Sequence, residues 1–140
     1  MALDKGALRA QLIVDEGSRL KPYTDTVGKL SIGVGRNLTD VGISNDERDL
    51  MLDNDIARTI AWLDANLPWW KNLDDVRQGV IANMAFNLRG RLLGFVSALA
   101  AMQVQNWQAA HDQMLDSVWA RQVGARAQRL ATQMLTGSAS

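Results

Sequence analysis

Asp15-Glu16-Gly17-Ser18-Arg19-Leu20-Lys21-Pro22-Tyr23-Thr24-Asp25-Thr26-Val27-Gly28-Lys29-Leu30-Ser31-Ile32-Gly33-Val34-Gly35 is the stretch in which the chain changes character. Upstream of it, residues 3–16 place Leu8, Leu12 and Val14 on roughly one helical face, with Asp4 as the N-terminal cap. Gly17 then ends the helix, because glycine tolerates the left-handed conformation of a helix C-terminus. From Lys21 to Arg36 the period shortens. Pro22, Gly28, Gly33 and Gly35 punctuate short alternating runs, Lys29-Leu30-Ser31-Ile32-Gly33-Val34 among them. That pattern predicts a small β-hairpin or meander.

Downstream, Ser44-Asn45-Asp46-Glu47 fits a capping box, in which the serine hydroxyl and the glutamate carboxylate satisfy free amides at a helix start. Leu52, Ile56, Ile60, Leu63 and Leu67 follow at helical spacing, so a helix over about 45–67 is expected, stopping before Pro68. Beyond Pro68-Trp69-Trp70 the chain reads as wholly helical. Asp74 or Asp75 starts a helix carrying Val76, Val80, Met84 and Leu88; Gly90 and Gly94 break it; Phe95–Met102 forms a short helix. Asn106 caps another, and Gly124 precedes the last, Ala125–Leu135, with a frayed tail after it. The layout is an α+β fold in one domain spanning 1–140. It comprises a small N-terminal lobe of about 13–55 holding the sheet, the connecting helix, and an all-α C-terminal lobe of about 68–137 together with the N-terminal helix.

Composition narrows the chemistry. With 140 residues, 47% apolar and 21% charged, the chain is an ordinary globular domain able to fold without covalent staples. It has no cysteine, which excludes disulfides, thiolate catalysis and cysteine zinc sites. Its single histidine, His111, excludes a three-histidine metal site. The longest apolar run is Ala98–Met102, too short to cross a bilayer, and no cationic start with an apolar segment marks a secretory signal. Net charge is zero but uneven: residues 1–70 hold 8 basic and 11 acidic groups, residues 71–140 hold 7 and 4. On charge alone the favoured reading is a polar surface whose halves differ by chance; the sharper one is an acidic N-terminal part and a basic C-terminal part that faces a polyanion such as nucleic acid or bacterial cell wall.

The densest polar cluster lies within the quoted stretch. Glu16 ends a helix, Asp25 sits in the turn Tyr23-Thr24-Asp25-Thr26, and Ser31 lies on the next strand. One carboxyl that protonates a departing oxygen and one that steadies a water or a cationic sugar ring are what glycosidic cleavage requires. A hydroxyl nearby can hold the water. Spacing alone does not single this pair out from solvated surface carboxylates.

The same stretch resembles the active-site region of the phage-type lysozymes. That family's pattern is Glu-Gly, an Asp in a Tyr-x-Asp-x-x-Gly turn, then Thr-Ile-Gly-x-Gly. Every element occurs here in order, with Ser31 in the place of the usual threonine. Weaker similarity continues through Gly42–Ile56, Val76–Asn87, Trp107, Trp119 and Arg126, covering roughly Leu12 to Gly137, although a stretch after Asn37 is missing. The resemblance implies a lysozyme-like fold. It also implies hydrolysis of the β-1,4 bond between N-acetylmuramic acid and N-acetylglucosamine in peptidoglycan, with neither metal nor cofactor.

Residue by residue, the resemblance makes Glu16 the general acid, for which partial burial against the C-terminal lobe favours the protonated form and an arginine ion pair opposes it, leaving the net shift without a sign. Asp25 becomes the ionised carboxylate and Ser31 the water-holding hydroxyl. Arg126 matches an arginine that pairs with the catalytic glutamate, and Phe86 a cleft-lining aromatic. Asn37 and Gln113 fall at cleft positions, and Arg36 stands where the family often has histidine. The biology it implies is a monomeric phage endolysin made without a signal in the host cytoplasm. Such a protein reaches the wall through a holin pore, with no nucleic-acid partner and no membrane insertion.

Other candidates read blandly. His111 is a surface histidine with no partner signalled nearby; Trp62, Trp107 and Trp119 are core or lobe-interface residues; one of Trp69 and Trp70 is exposed. Met84, Met102, Met114 and Met134 fill the core. Gly33-Val34-Gly35 is too short for a phosphate loop, and Arg121, Arg126 and Arg129 form a solvated or wall-facing stripe rather than a nucleic-acid site. Two rivals to hydrolysis stand: a lytic transglycosylase, which needs no water-holding pair, and a catalytically idle wall-binding module.

Overall fold

A computed structural model of the chain describes residues 2–139. The chain divides into two compact units, Met1–Met51 and Leu52–Ser140.

The first unit opens with α1, Lys5–Glu16, capped by Asp4, whose carboxylate accepts the Ala7 amide at 3.0 Å. Gly17 closes it with φ 77° and ψ 171°, and its N–H returns to the Ile13 carbonyl. That is not the left-handed helical conformation expected. It is an extended positive-φ conformation open essentially to glycine alone, and it sends the chain straight into the sheet. Val14 does not share the face of Leu8 and Leu12. It is 77% exposed, whereas Leu8, Leu12 and Ile13 border one shallow hollow with Val34. Six residues on at ~100° each place Val14 about 240° round the helix from Leu8.

Strands β1 (Arg19–Thr24), β2 (Leu30–Gly33) and β3 (Arg36–Asn37) form an antiparallel meander in chain order. The expected hairpin thus begins two residues earlier and ends one later. Tyr23 pairs with Ser31 and Ser31 with Asn37, while the β1–β2 register slips between Arg19 and Tyr23. Pro22, which lacks an amide donor, sits inside that irregularity.

Helix α2, Asn45–Asn66, starts in the first unit and ends in the second. Its capping box forms in both directions: Ser44 N donates to Glu47 Oε1 at 2.9 Å, and Glu47 N to Ser44 Oγ at 3.1 Å. Of the apolar stripe, Leu63 and Leu67 are buried; Leu52, Ile56 and Ile60 are exposed.

In the second unit a 3-10 turn, Pro68–Asn72, leads to α3 (Asp75–Leu88), a second 3-10 turn (Arg89–Gly94), and α4 (Val96–Gln103). Helices α5 (Trp107–Leu115), α6 (Val118–Val123) and α7 (Ala125–Thr136) complete it. Asn106 caps α5 as expected, and of the two aspartates expected to start α3 it is Asp74 that caps it. The break between α5 and α6 was not foreseen. Ser117 makes it, its hydroxyl donating to Met114 O and accepting from Ala120 N.

The core lies here. Leu63, Ile81, Met84, Leu92, Met102, Met114 and Met134 have no exposure, so the methionines fill the interior as expected. Trp70 and Trp119 are buried and Trp69 is half-buried, so neither member of the Trp69-Trp70 pair is exposed. Trp70 donates its indole N–H to Asp64 Oδ1 at 2.8 Å, and this bond holds the Asp64 carboxyl below its ordinary pKa.

Arg77 acts as a clamp. From the first turn of α3 it donates to Met134 O and Leu135 O at the end of α7, pairs with Asp74, and stacks 3.8 Å over Trp107. Its guanidinium thereby satisfies the free carbonyls of a helix C-terminus. Past α7 the tail makes hydrogen bonds up to residue 139: Gly137 forms a left-handed cap, and Gln133 donates to Ala139 O. Ser140 lies outside the described residues. His111 has the partner the sequence did not signal, Asp112 Oδ1 at 2.8 Å, which lowers the Asp112 pKa. Among the described residues no helix is long and apolar enough to cross a membrane.

Candidate active site

The first unit concentrates its polar chemistry where α1 meets the meander. Gly17 ends α1 one residue after Glu16, so that side chain leaves the final helical turn beside the tight β2–β3 connection. Its carboxylate rests on Gly35: a β-carbon built there lies 2.9 Å from Glu16 Oε2, and Gly35 has φ +66°. Gly35 therefore makes room for the carboxylate as well as the turn.

Asp25 follows β1 and closes its own turn. Its Oδ1 accepts the amides of Val27 at 3.0 Å and Lys29 at 2.8 Å, and its backbone N–H donates to Lys29 O. Two amides on one oxygen fix the carboxylate plane, and Oδ2 has no partner among the described residues. Ser31 is central in the sheet and 3% exposed. The cross-strand pairs put Tyr23, Ser31 and Asn37 on one face. Ser31 forms no side-chain hydrogen bond among the described residues, yet no fully buried side-chain polar atom there lacks a partner, so its hydroxyl keeps access to solvent. Asn37 is turned to the following loop, donating to Asp40 Oδ2 and accepting the Asp40 amide.

Arg36 pairs with Glu47 at 2.7 Å and also reaches Gly42 O, joining β3 to the capping box of α2. The arginine hydrogen bond, with help from Ser44, lowers the Glu47 pKa to about 2. The substitution of arginine at this position thus yields an ion pair, with a glutamate the sequence had assigned only a capping role.

In the second unit Phe86, on α3, is exposed and borders an open hollow of about 480 Å³ that Arg126, Asn83, Leu52, Ile56 and Ile60 also line. Arg126, in the first turn of α7, donates to Asn83 Oδ1 at 2.6 and 3.0 Å. Gln113 is not in that hollow. It is exposed at the edge of another, about 440 Å³, beside Trp119 and Ser117. Phe86 and Arg126 are brought together; Gln113 stands apart from them.

Sequence reasoning missed three residues. Asn83 holds Arg126, Asn87 Oδ1 accepts the Trp119 indole N–H at 2.8 Å, and Gly35 accommodates Glu16. The two asparagines pair across 43 and 32 residues, so no local pattern signals them. Gly35 alone carried a sign, as a glycine in a turn. Among the described residues no group of three potential ligands could hold a metal ion.

The family model "Phage lysozyme" matches residues 14–134. The chain is 24% identical to "Probable T4-type lysozyme 1" of Dictyostelium discoideum, over 94% of this chain and 95% of that protein. It is 29% identical to the pre-baseplate central spike protein Gp5 of Enterobacteria phage T4, over 89% of this chain but only 27% of the spike protein. The family match covers both the carboxylate-bearing meander and nearly all of the helical unit, and on that ground the chain belongs to the phage lysozyme family, glycoside hydrolases that act on bacterial cell-wall peptidoglycan.

Proposed function

We propose that this lysozyme is a phage endolysin cleaving the β-1,4 bond between N-acetylmuramic acid and N-acetylglucosamine, with Glu16, Asp25 and Ser31 as its catalytic residues. The observation that carries the reading is the Asp25 carboxylate, anchored through one oxygen by two backbone amides while the other has no partner among the described residues. In this reading Glu16 protonates the glycosidic oxygen as the bond to the muramic acid anomeric carbon breaks. Asp25 steadies the cationic ring or the incoming water, and the Ser31 hydroxyl orients that water. The water adds its hydroxyl to the anomeric carbon and a proton returns to the carboxylate pair. Phe86, Asn37 and Gln113 serve as sugar-binding residues, and Arg126 supports the active site.

Glu16→Gln tests the assignment. Hydrolysis of purified peptidoglycan should fall by about 10²–10⁴-fold while the fold and wall binding persist. Mass spectrometry of the wild-type digest should find hydrated reducing ends. Anhydro-muramyl ends would replace the hydrolase by a transglycosylase, and undiminished cell killing by the Glu16→Gln protein would leave only a wall-binding module. The endolysin role draws support from the family's phage character. It predicts a monomer that accumulates harmlessly in the cytoplasm of an expressing bacterium and lyses it once a holin is co-expressed. Lysis without a pore, or recovery of the chain in assembled phage particles, would overturn it.

A further inference from the structure

Beside the hollow that Phe86 shares with Arg126, the second unit holds a smaller and more enclosed one of about 230 Å³. Asp55, Arg58, Thr59 and Trp62 from α2 form one side, and Ala85, Phe86 and Arg89 the other. Three observations converge on it.

Its lining combines two aromatic side chains with an acceptor, a hydroxyl and two guanidinium groups. Aromatic surface covers the apolar C–H face of a sugar ring, and the polar groups take its hydroxyls. Asp55 and Arg58 already pair at 3.1 Å, each with solvent access, so both can extend hydrogen bonds into the hollow. The volume is below the ~300 Å³ at which pockets for larger ligands begin, which suits a single ring.

Arg89 is unspent. It forms no ion pair or side-chain hydrogen bond among the described residues, and it lines both this hollow and the adjoining one with Arg91 and Arg126. It also stands where glycine is the ordinary choice. At φ 54° and ψ −132° it ends α3 in a conformation that strains any residue with a β-carbon. Arg89 is exposed, so its guanidinium is available to an anionic group on a ligand that packs against the two aromatics.

We propose that the Trp62–Phe86–Arg89 hollow is an accessory saccharide subsite that holds an N-acetylmuramic acid residue of the glycan strand. The ring packs on Trp62 and Phe86, and the lactyl carboxylate, which N-acetylglucosamine lacks, meets Arg89. The inference rests on the lysozyme reading above for the identity of the glycan, but not on the assignment of Glu16.

The test uses the full chain carrying Glu16→Gln and two soluble probes, the disaccharide N-acetylglucosaminyl-N-acetylmuramic acid and chitobiose, which lacks the lactyl group. NMR follows the Trp62 indole N–H, assigned by its loss in Trp62→Phe. The muramyl disaccharide should shift that signal with at least tenfold tighter binding than chitobiose. Arg89→Gly, which relieves the backbone strain and so preserves the fold, should erase the difference. With Glu16 restored, Arg89→Gly should raise KM on polymeric peptidoglycan several-fold and leave kcat unchanged. An unmoved Trp62 signal, or equal weakening of both probes, overturns the subsite even if hydrolysis proceeds normally. A chain that hydrolyses nothing yet binds the muramyl probe through Arg89 keeps the subsite and loses the proposed catalysis.

Discussion

Gly35 shows how one missing side chain constrains the site. Its φ of +66° already disfavours any other residue, and the Glu16 carboxylate occupies the space a β-carbon would take. Gly35→Ala must therefore both strain the turn and displace Oε2. An expected loss of about 1–3 kcal/mol of stability accompanies the change, with peptidoglycan hydrolysis falling further than the lost folded fraction explains. Chemical denaturation and a turbidity assay on the same preparation separate the two effects. Equal losses in both would mean that Gly35 serves the turn alone.

At the scale of elements, helix ends carry the legible energetics. Glu47 serves the α2 capping box and the Arg36 ion pair together, and its pKa falls from 4.5 to about 2 on folding. Because the folded pKa is the lower one, the ionised form favours the folded state. That contribution is complete above pH about 4.5 and is lost as pH falls toward 2. Both side chains are more than a third exposed, so the effect is screened by salt. Thermal melts between pH 5 and 2.5 should show a smaller acid destabilisation in Glu47→Gln than in the native chain, with the gap shrinking at high salt. At the α5–α6 break, Ser117→Ala removes the cap on Ala120 and should cost about 1 kcal/mol, read as a lower denaturant midpoint at unchanged slope.

For the whole molecule, the two units differ in what holds them. Among the described residues up to Met51 only Ser31 is buried, whereas the second unit owns the apolar core. A small meander and one helix without an interior do not bury enough surface to fold alone. A fragment of residues 52–140 should melt cooperatively, and one of residues 1–51 should show no transition by circular dichroism. Within the core, Met114→Ala empties a site with no exposure and should cost about 2–5 kcal/mol. Met114 belongs to the core of the second unit, whereas Glu16 and Gly35 belong to the first, so kcat below the melting range should stay near native. A matching collapse of kcat would tie the core directly to the chemistry.

The sequence by itself determined whatever interactions between near neighbours encode: the Asp4 and Asn106 caps, the start of α3 at Asp74 or Asp75, the Ser44–Glu47 box, the meander and its Asp25 turn. Each is specified by groups within four residues of one another, so residue type and spacing suffice. The family pattern was legible for the same reason, being a contiguous run. Only the tertiary structure decided that Arg77 would reach 57 residues to α7, that Asn83 would hold Arg126, and that Arg89 would line one hollow with Trp62 and Phe86. Those partners are chosen by how helices pack, and side chains far apart in the chain carry no mark of one another until packing brings them into contact.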